Sequence, residues 1–249
     1  LPNMVTELFK SSVAFAASSL SESFTCADDT DGTYNCDHTW ERHSGCCAEI
    51  KGNELVEETV NALQRLRLTS TAMDTTDMRV RATVVTLTPG SSTNVTAGPI
   101  ARKPNSTTAT YVYCLLRNGT PTNAEFGHVV SASATVDGTQ SITFTPGDTV
   151  EVRAFDDQLS CLHNNTLVLG PITEATGDGN LYIGARFSGS GTDGGNIRAL
   201  DNIFASNSLP SSSRRSSTPQ VKAPCAPPPC NAKFMRFLLM IIALSGLLA

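Results

Sequence analysis

PGDTVEVRAFDDQLSCLHNNTLVL (residues 146–169), GNLYIGARFSG (179–189) and NIRALDNIFA (196–205) are the stretches whose reading decides the fold. Val150, Val152 and Ala154 alternate with Thr149, Glu151 and Arg153, the period of two that marks a strand buried on one face. Asp156-Asp157-Gln158 breaks the pattern, and Leu159, Cys161 and His163 resume it. Asn164-Asn165 suits a tight hairpin, because asparagine tolerates positive φ, and Leu167-Val168-Leu169 continues beyond it. Gly177-Asp178-Gly179-Asn180 makes a further turn before Leu181-Tyr182-Ile183-Gly184. Ile197, Ala199 and residues 200–204 close the series around Asp201-Asn202, which reads as a strand-end structural element. Short strands and turns at this spacing predict an antiparallel all-β domain.

The order GDTVEVRAFDDQLSCLHNNTLVL, GNLYIGARF, ALDNIFAS resembles the C-terminal half of a concanavalin A-like (laminin G-like) jelly roll. In that family a strand and short hairpin precede a G-x-ϕ-G strand and a final ϕ-D-N/E-ϕ strand. The N-terminal part is similar to the family's opening pattern: Ser23-Phe24-Thr25 and residues 28–32, then Thr39-Trp40, then residues 49–55. Residues 76–82 and 109–119 resemble its middle strands. The resemblance runs over residues 21–206 and implies a two-sheet antiparallel jelly-roll β-sandwich. The expected organisation is an N-terminal arm or first strand (1–20), the sandwich (21–207), a disordered Ser/Pro-rich linker (208–233) and a short hydrophobic C-terminal helix (234–249).

Composition agrees. The 249 residues are 40% apolar and 6% aromatic, enough for one large β-sandwich with extensions. The net charge of −5 gives no basic footprint for nucleic acid. Eight cysteines form a crowded group (Cys26, Cys36, Cys46, Cys47), a pair in expected strands (Cys114, Cys161) and a pair in CAPPPC (Cys225, Cys230). Their even number predicts disulfides and an oxidising compartment, with connectivity open. The rival is zinc on Cys26, Cys36, Cys46 and His43, but no CxxC pair supports it. Four sequons, at Asn94, Asn105, Asn118 and Asn164, are expected in loops or turns and are glycosylation candidates in a secreted protein.

The ends read differently. Residues 13–17 (VAFAA) faintly resemble a signal core, but the run is short and Glu7 precedes it. Residues 208–233 have no apolar period and cannot offset their ordering entropy, which predicts a flexible linker. The tail FMRFLLMIIALSGLLA is broken only by Arg236. Its uninterrupted run is shorter than the ~20 residues of a spanning helix. Lys233 and Arg236 would snorkel at one interface, which fits a tail anchor or a cleaved glycolipid-anchor signal. A frameshifted reading and a buried helix are the alternatives. Membrane attachment is the expectation.

Catalytic patterns are missing. The resemblance extends to retaining β-glucanases, whose catalytic strand carries E-x-D-x-x-E with carboxylates about 5 Å apart. Glu54, Glu57 and Glu58 are the nearest approach, with the wrong order and spacing, and read as a solvated strand edge. G-x-S-x-G, H-E-x-x-H and a phosphate-cradling glycine loop are absent from the sequence, and His38, His43, His128 and His163 are scattered. Asp28, Asp29 and Asp31 are weak calcium candidates, with an Asp/Gly-rich turn the preferred reading; no other cofactor is expected. Trp40 reads as core, with sugar stacking as the alternative. Tyr111 and Tyr113 should share one face, contacting ligand if that face is concave and joining the core if it is inner. The expected function is a non-catalytic, surface-displayed binding or adhesion module, with carbohydrate or glycoprotein as partner. The alternative is a structural block of an extracellular or virion assembly, with self-association. A diverged glycoside hydrolase ranks third.

Overall fold

Residues 19–27, 33–44, 48–57, 64–68, 71–88, 94–106, 108–119, 121–190 and 197–208 are described by the computed structural model, and all lie in the first of the chain's two units, Leu1–Pro210. Among them are sixteen strands in two sheets of eight, every pair antiparallel. The first sheet runs in the order β14 (Thr166–Thr173), β13 (Gln158–His163), β12 (Asp148–Phe155), β7 (Met78–Thr88), β16 (Ile197–Ser206), β5 (Glu54–Glu57), β4 (Ala48–Lys51). β1 (Ser19–Glu22) also pairs with β16, so it straddles the expected sandwich start at residue 21. The second sheet runs β11 (Ser133–Ser141), β10 (Asn123–Val130), β9 (Tyr111–Gly119), β8 (Asn94–Lys103), β15 (Tyr182–Ser190), β6 (Gln64–Leu68), β3 (Thr39–Ser44), β2 (Thr33–Asn35). The N-terminal arm before residue 19, the linker beyond residue 208 and the hydrophobic tail lie outside the described residues.

The period of two explains the core. Met78, Val80, Ala82 and Val84 of β7 and Val150, Val152 and Ala154 of β12 are buried. They join one cluster with Ala97 and Ala101 of β8, Val112, Cys114 and Leu116 of β9, and Ala185 and Phe187 of β15. Two inner faces interdigitate this way in a sandwich. Each large aliphatic side chain removed from water contributes roughly 1.5–3 kcal/mol. Cys114 of the second sheet and Cys161 of β13 in the first form a disulfide inside this cluster. Cys26 and Cys36 form another, bracketing the DDTDG segment.

Turns follow local chemistry. Asn164 and Asn165 join β13 to β14 with φ of 49° and 63°, the left-handed pair that matches strand twist in a two-residue hairpin. Asn164 also locks the β12 end: its Oδ1 accepts from Thr149 N at 2.8 Å and its Nδ2 donates to Asp148 Oδ1 at 2.7 Å. At the sandwich opening, the buried Glu22 carboxylate accepts from Phe24 N (2.9 Å), His38 N (3.0 Å) and Trp40 Nε1 (3.1 Å). Trp40 is fully buried against Phe24, with ring centroids 5.6 Å apart. One expectation changes. Asp201-Asn202 does not end a strand; it is an irregularity inside β16, where the register with β7 shifts between Asp201 and Phe204 and Asn202 takes φ 47°.

The Cys114–Cys161 link spans 47 residues of sequence, which in chain-entropy terms corresponds to about 4 kcal/mol. Replacing both cysteines by alanine is expected to lower the unfolding free energy by about 2–4 kcal/mol in urea titration. A loss below about 1 kcal/mol would show that the link does not hold the two sheets together.

Candidate functional site

β9 faces two ways. Val112, Cys114 and Leu116 enter the core, so Tyr111, Tyr113 and Leu115 stand on the outer face of the second sheet. There they form a separate buried cluster with Ile100, Val129 and Ala109. Pairing extends this face sideways. Glu41 of β3 pairs with Arg67 of β6, Arg67 with Gly184, Gly184 with Ile100, Ile100 with Tyr113, and Tyr113 with Gly127. One row along, Arg65 pairs with Arg186 and Arg186 with Gly98.

The glycines make room for this arrangement. Arg186 reaches across β8 at Gly98 and lays its guanidinium over the Tyr113 ring, 4.1 Å from the centroid. A Cβ at Gly98 would lie 2.3 Å from the Cys114 carbonyl oxygen, so the strands close up only around glycine. A Cβ at Gly127 would meet the Thr135 carbonyl at 2.2 Å and Tyr113 Oη at 2.6 Å. Arg65 stands over Tyr111 at 5.9 Å, and the two tyrosine rings are 6.3 Å apart. The result is a cationic layer on an aromatic floor, an attraction that strengthens away from water.

Polar contacts border the layer. Arg67 Nη2 donates to Glu41 Oε2 at 2.6 Å. Tyr113 Oη donates to Glu125 Oε1 at 3.3 Å, with the Thr135 carbonyl at 3.4 Å as the alternative acceptor. Arg117 Nε donates to Asn94 Oδ1 at 3.1 Å, and its Nη1 lies 4.0 Å from Glu125 Oε2. Lys103 is fully buried, its ammonium 3.5 Å from the Ser106 carbonyl. Much donor capacity is unused: Arg65 Nε, Arg67 Nε and Nη1, and Arg186 Nε and Nη1 have no hydrogen-bond partner, and Tyr111 Oη makes no aligned bond.

Burial sets the protonation states. It holds the Tyr113 hydroxyl up at about 12 despite the opposing pull of Arg186, and it raises Tyr111 against Arg186 and Arg65. Both phenols therefore stay protonated at neutral pH. They act as donors and not as bases. Lys103 is pushed down to about 7, first by burial and then by Arg67 and Arg65, with Glu41 opposing.

Of the residues singled out in the sequence, Tyr111 and Tyr113 are brought to this face, while Trp40 is core and distant from it in role. Glu57 corrects the expectation of a solvated strand edge: β5 lies between β4 and β16, and Glu57 is fully buried in an ion pair with Arg198. Burial, in turn, pulls Arg198 down to about 10. Glu58 lies outside the described residues, as do Asp28, Asp29, Asp31, Cys46, Cys47, Cys225 and Cys230. The histidines are spread: His38 Nδ1 is 3.5 Å from Glu22, His128 pairs with Asp137 at 2.8 Å and His163 with Asp148 at 2.9 Å. Among the described residues no group of three His, Cys, Asp or Glu is placed to hold a metal, and no helix is long and apolar enough to cross a membrane. Two sequons also move. Asn94 and Asn118 stand in β8 and β9 instead of loops, and Asn118 Nδ2 donates to the Leu87 carbonyl at 2.6 Å. Asn105 lies in an exposed bend and Asn164 in its hairpin.

Sequence reasoning missed Arg65, Arg67, Lys103, Glu125 and Arg186. A signal existed in QRLRL and in IGARF, where arginines alternate with apolar residues and so must share the face opposite the core.

No protein-family model and no curated protein matches the chain. Solved structures do. The Emp47p carbohydrate recognition domain is similar with a TM-score of 0.53 and 11% identity, over 80% of this chain and 100% of that one. The carbohydrate-binding module CBM66 from Bacillus subtilis gives 0.51 and 10%, over 67% and 94%. The Crh5 transglycosylase gives 0.52 and 14%, over 78% and 86%. The fold is the concanavalin A-like jelly roll. At these identities the likeness is one of fold, and it is shared by binding domains and an enzyme alike.

Lys103 yields a stability test. Between its folded value of about 7 and the ordinary lysine value of 10.5, the unfolded chain holds a proton that the folded protein lacks. Stability therefore rises with pH across that window and falls as pH drops through about 7. The melting temperature of the wild type, measured relative to Lys103→Met, is expected to rise from pH 6 to pH 9. A pH-independent difference would place Lys103 in water.

Proposed function

We propose that this chain is a non-catalytic carbohydrate-binding domain whose ligand lies against the outer face of the second sheet. The observation that carries the reading is the layer of donors over the Tyr111–Tyr113 floor, with Arg65, Arg67 and Arg186 nitrogens left without partners. Sugar rings present many hydroxyls, and a face rich in fixed donors beside aromatic surface is chemically suited to them. The likeness to a carbohydrate recognition domain and a carbohydrate-binding module supports the same reading.

The acidic residues of this face support binding without catalysis. Glu41 on β3 and Glu125 on β10 are five strand steps apart in the sheet order, about 24 Å at about 4.8 Å per step. Glycosidic hydrolysis asks for two carboxylates within about 5–10 Å. Each of these two is also committed to a cationic or phenolic neighbour. The two disulfides support an oxidising compartment. Secretion, with display at a surface through residues 234–249, belongs to the same proposal.

The test is retention of the full chain on a panel of immobilised polysaccharides, together with an assay for reducing ends. Binding to at least one polymer without release of sugar is expected, and Arg67→Ala should weaken it by about fivefold or more. Failure on every polymer removes the carbohydrate reading, and sugar release that survives repurification removes the non-catalytic one.

A further inference from the structure

The outer face of the second sheet gathers positive charge in a chain whose net charge is −5. Arg65, Arg67 and Arg186 stand on neighbouring strands, and Lys103 is close enough for Arg65 and Arg67 to act on its ammonium. Two carboxylates border them. Glu41, with its side chain 47% exposed, engages Arg67 Nη2. Glu125 takes the Tyr113 hydroxyl and faces Arg117.

Beyond their contacts with the two tyrosines and Glu41, these arginines keep spare donors. Arg186 is only 8% exposed, yet its Nε and Nη1 are unpartnered, as are Arg67 Nε and Nη1 and Arg65 Nε. Buried cations without a counter-charge are costly, and proteins ordinarily pair them. The outer face of the first sheet shows the ordinary solution: Arg79 and Arg153 flank Glu151, and Arg81 packs on the Phe204 ring with Arg79. Among the described residues no carboxylate forms an ion pair with Arg186, and Glu125, the nearest acid to its aromatic partner, is engaged by the Tyr113 hydroxyl and Arg117. The guanidinium fork matches a planar carboxylate or a sulfate bidentately, which a neutral hydroxyl does not. Access lies on the β6–β3 side, where Arg65 is partly exposed, the Arg67 side chain keeps 12% of its surface and Glu41 reaches water.

We propose that the ligand of this face is an anionic glycan, with a carboxylate or sulfate group of the sugar seated among Arg65, Arg67 and Arg186. The inference rests on the carbohydrate reading above and narrows it to acidic sugars. The anion would supply the counter-charge that the fold withholds, while Glu41 at the border orients Arg67 through its own bond.

The experiment measures affinity of the full chain for polygalacturonate (carboxylate), carrageenan (sulfate) and neutral laminarin at low and high salt. Binding to one or both acidic polymers is expected, weakening with salt, with laminarin bound far less. Which acidic polymer is retained separates carboxylate from sulfate. Arg186→Gln and Arg65→Gln should each weaken binding by about tenfold or more. Arg81→Gln removes the same charge from the other sheet and should leave affinity unchanged. If Arg186→Gln melts early, the half-buried Arg65→Gln carries that arm. Equal affinity for laminarin and the acidic polymers overturns the anionic inference and leaves the carbohydrate reading standing; no affinity for any polymer sinks both. A loss in Arg81→Gln equal to that in Arg65→Gln would reduce the effect to bulk charge and overturn the seat.

Discussion

The register of β9 governs what each surface of this protein can do. Its side chains alternate, so placing Cys114 beside Cys161 in the core commits Tyr111 and Tyr113 to the opposite face. A slip of one residue would exchange the two sets. It would push phenols into the sandwich interior and a disulfide partner into the site. β9 also sits between β8 and β10, so its register sets which residues stand opposite: Ile100 and Gly127 meet Tyr113 only in this alignment. The disulfide therefore holds both the two sheets and the floor of the candidate site.

On that floor, close approach and charge are coupled. Gly98 and Gly127 allow neighbouring backbone and the Tyr113 ring to come closer than any side chain at those positions would permit. Arg186 then crosses a strand to stack on Tyr113. Burial of Arg186 and Lys103 is unfavourable for folding taken alone, and the core elsewhere offsets it. Buried polar atoms without hydrogen-bond partners occur on both sheets, and those of Arg65, Arg67 and Arg186 stand together on one face of the second. The Glu57–Arg198 pair is the contrasting case: both partners are buried, and each answers the other's charge.

Most of the fold was legible in local chemistry. The alternation of Val150, Val152 and Ala154 and the Asn164-Asn165 hairpin follow from period and residue type, and the burial of Trp40 is what the resemblance implied. Errors arose where an isolated segment carries no information about its neighbours. ELVEE reads as a solvated edge until β4 and β16 flank it and Arg198 arrives from 141 positions later in the chain (198 − 57). Asn118 sits beside glycine and threonine, which suggests a turn, yet it lies within β9 and its side chain bonds to the Leu87 carbonyl. Asp201-Asn202 reads as a strand-end element, but Asn202 takes a positive φ inside β16 and pairing with β7 resumes beyond it.

The amino-acid sequence by itself determined the strands and turns of residues 146–190 and the all-β class, because alternation and turn residues act over a few positions and need no distant partner. It also determined that Tyr111 and Tyr113 share a face. Only the tertiary structure decided which face that is, and that Arg65, Arg67, Lys103 and Arg186 meet upon it. Those residues come from β6, β8 and β15, whose adjacency in the sheet follows from long-range pairing. Charge meets charge across strands that are far apart in the chain, and no local period encodes that meeting.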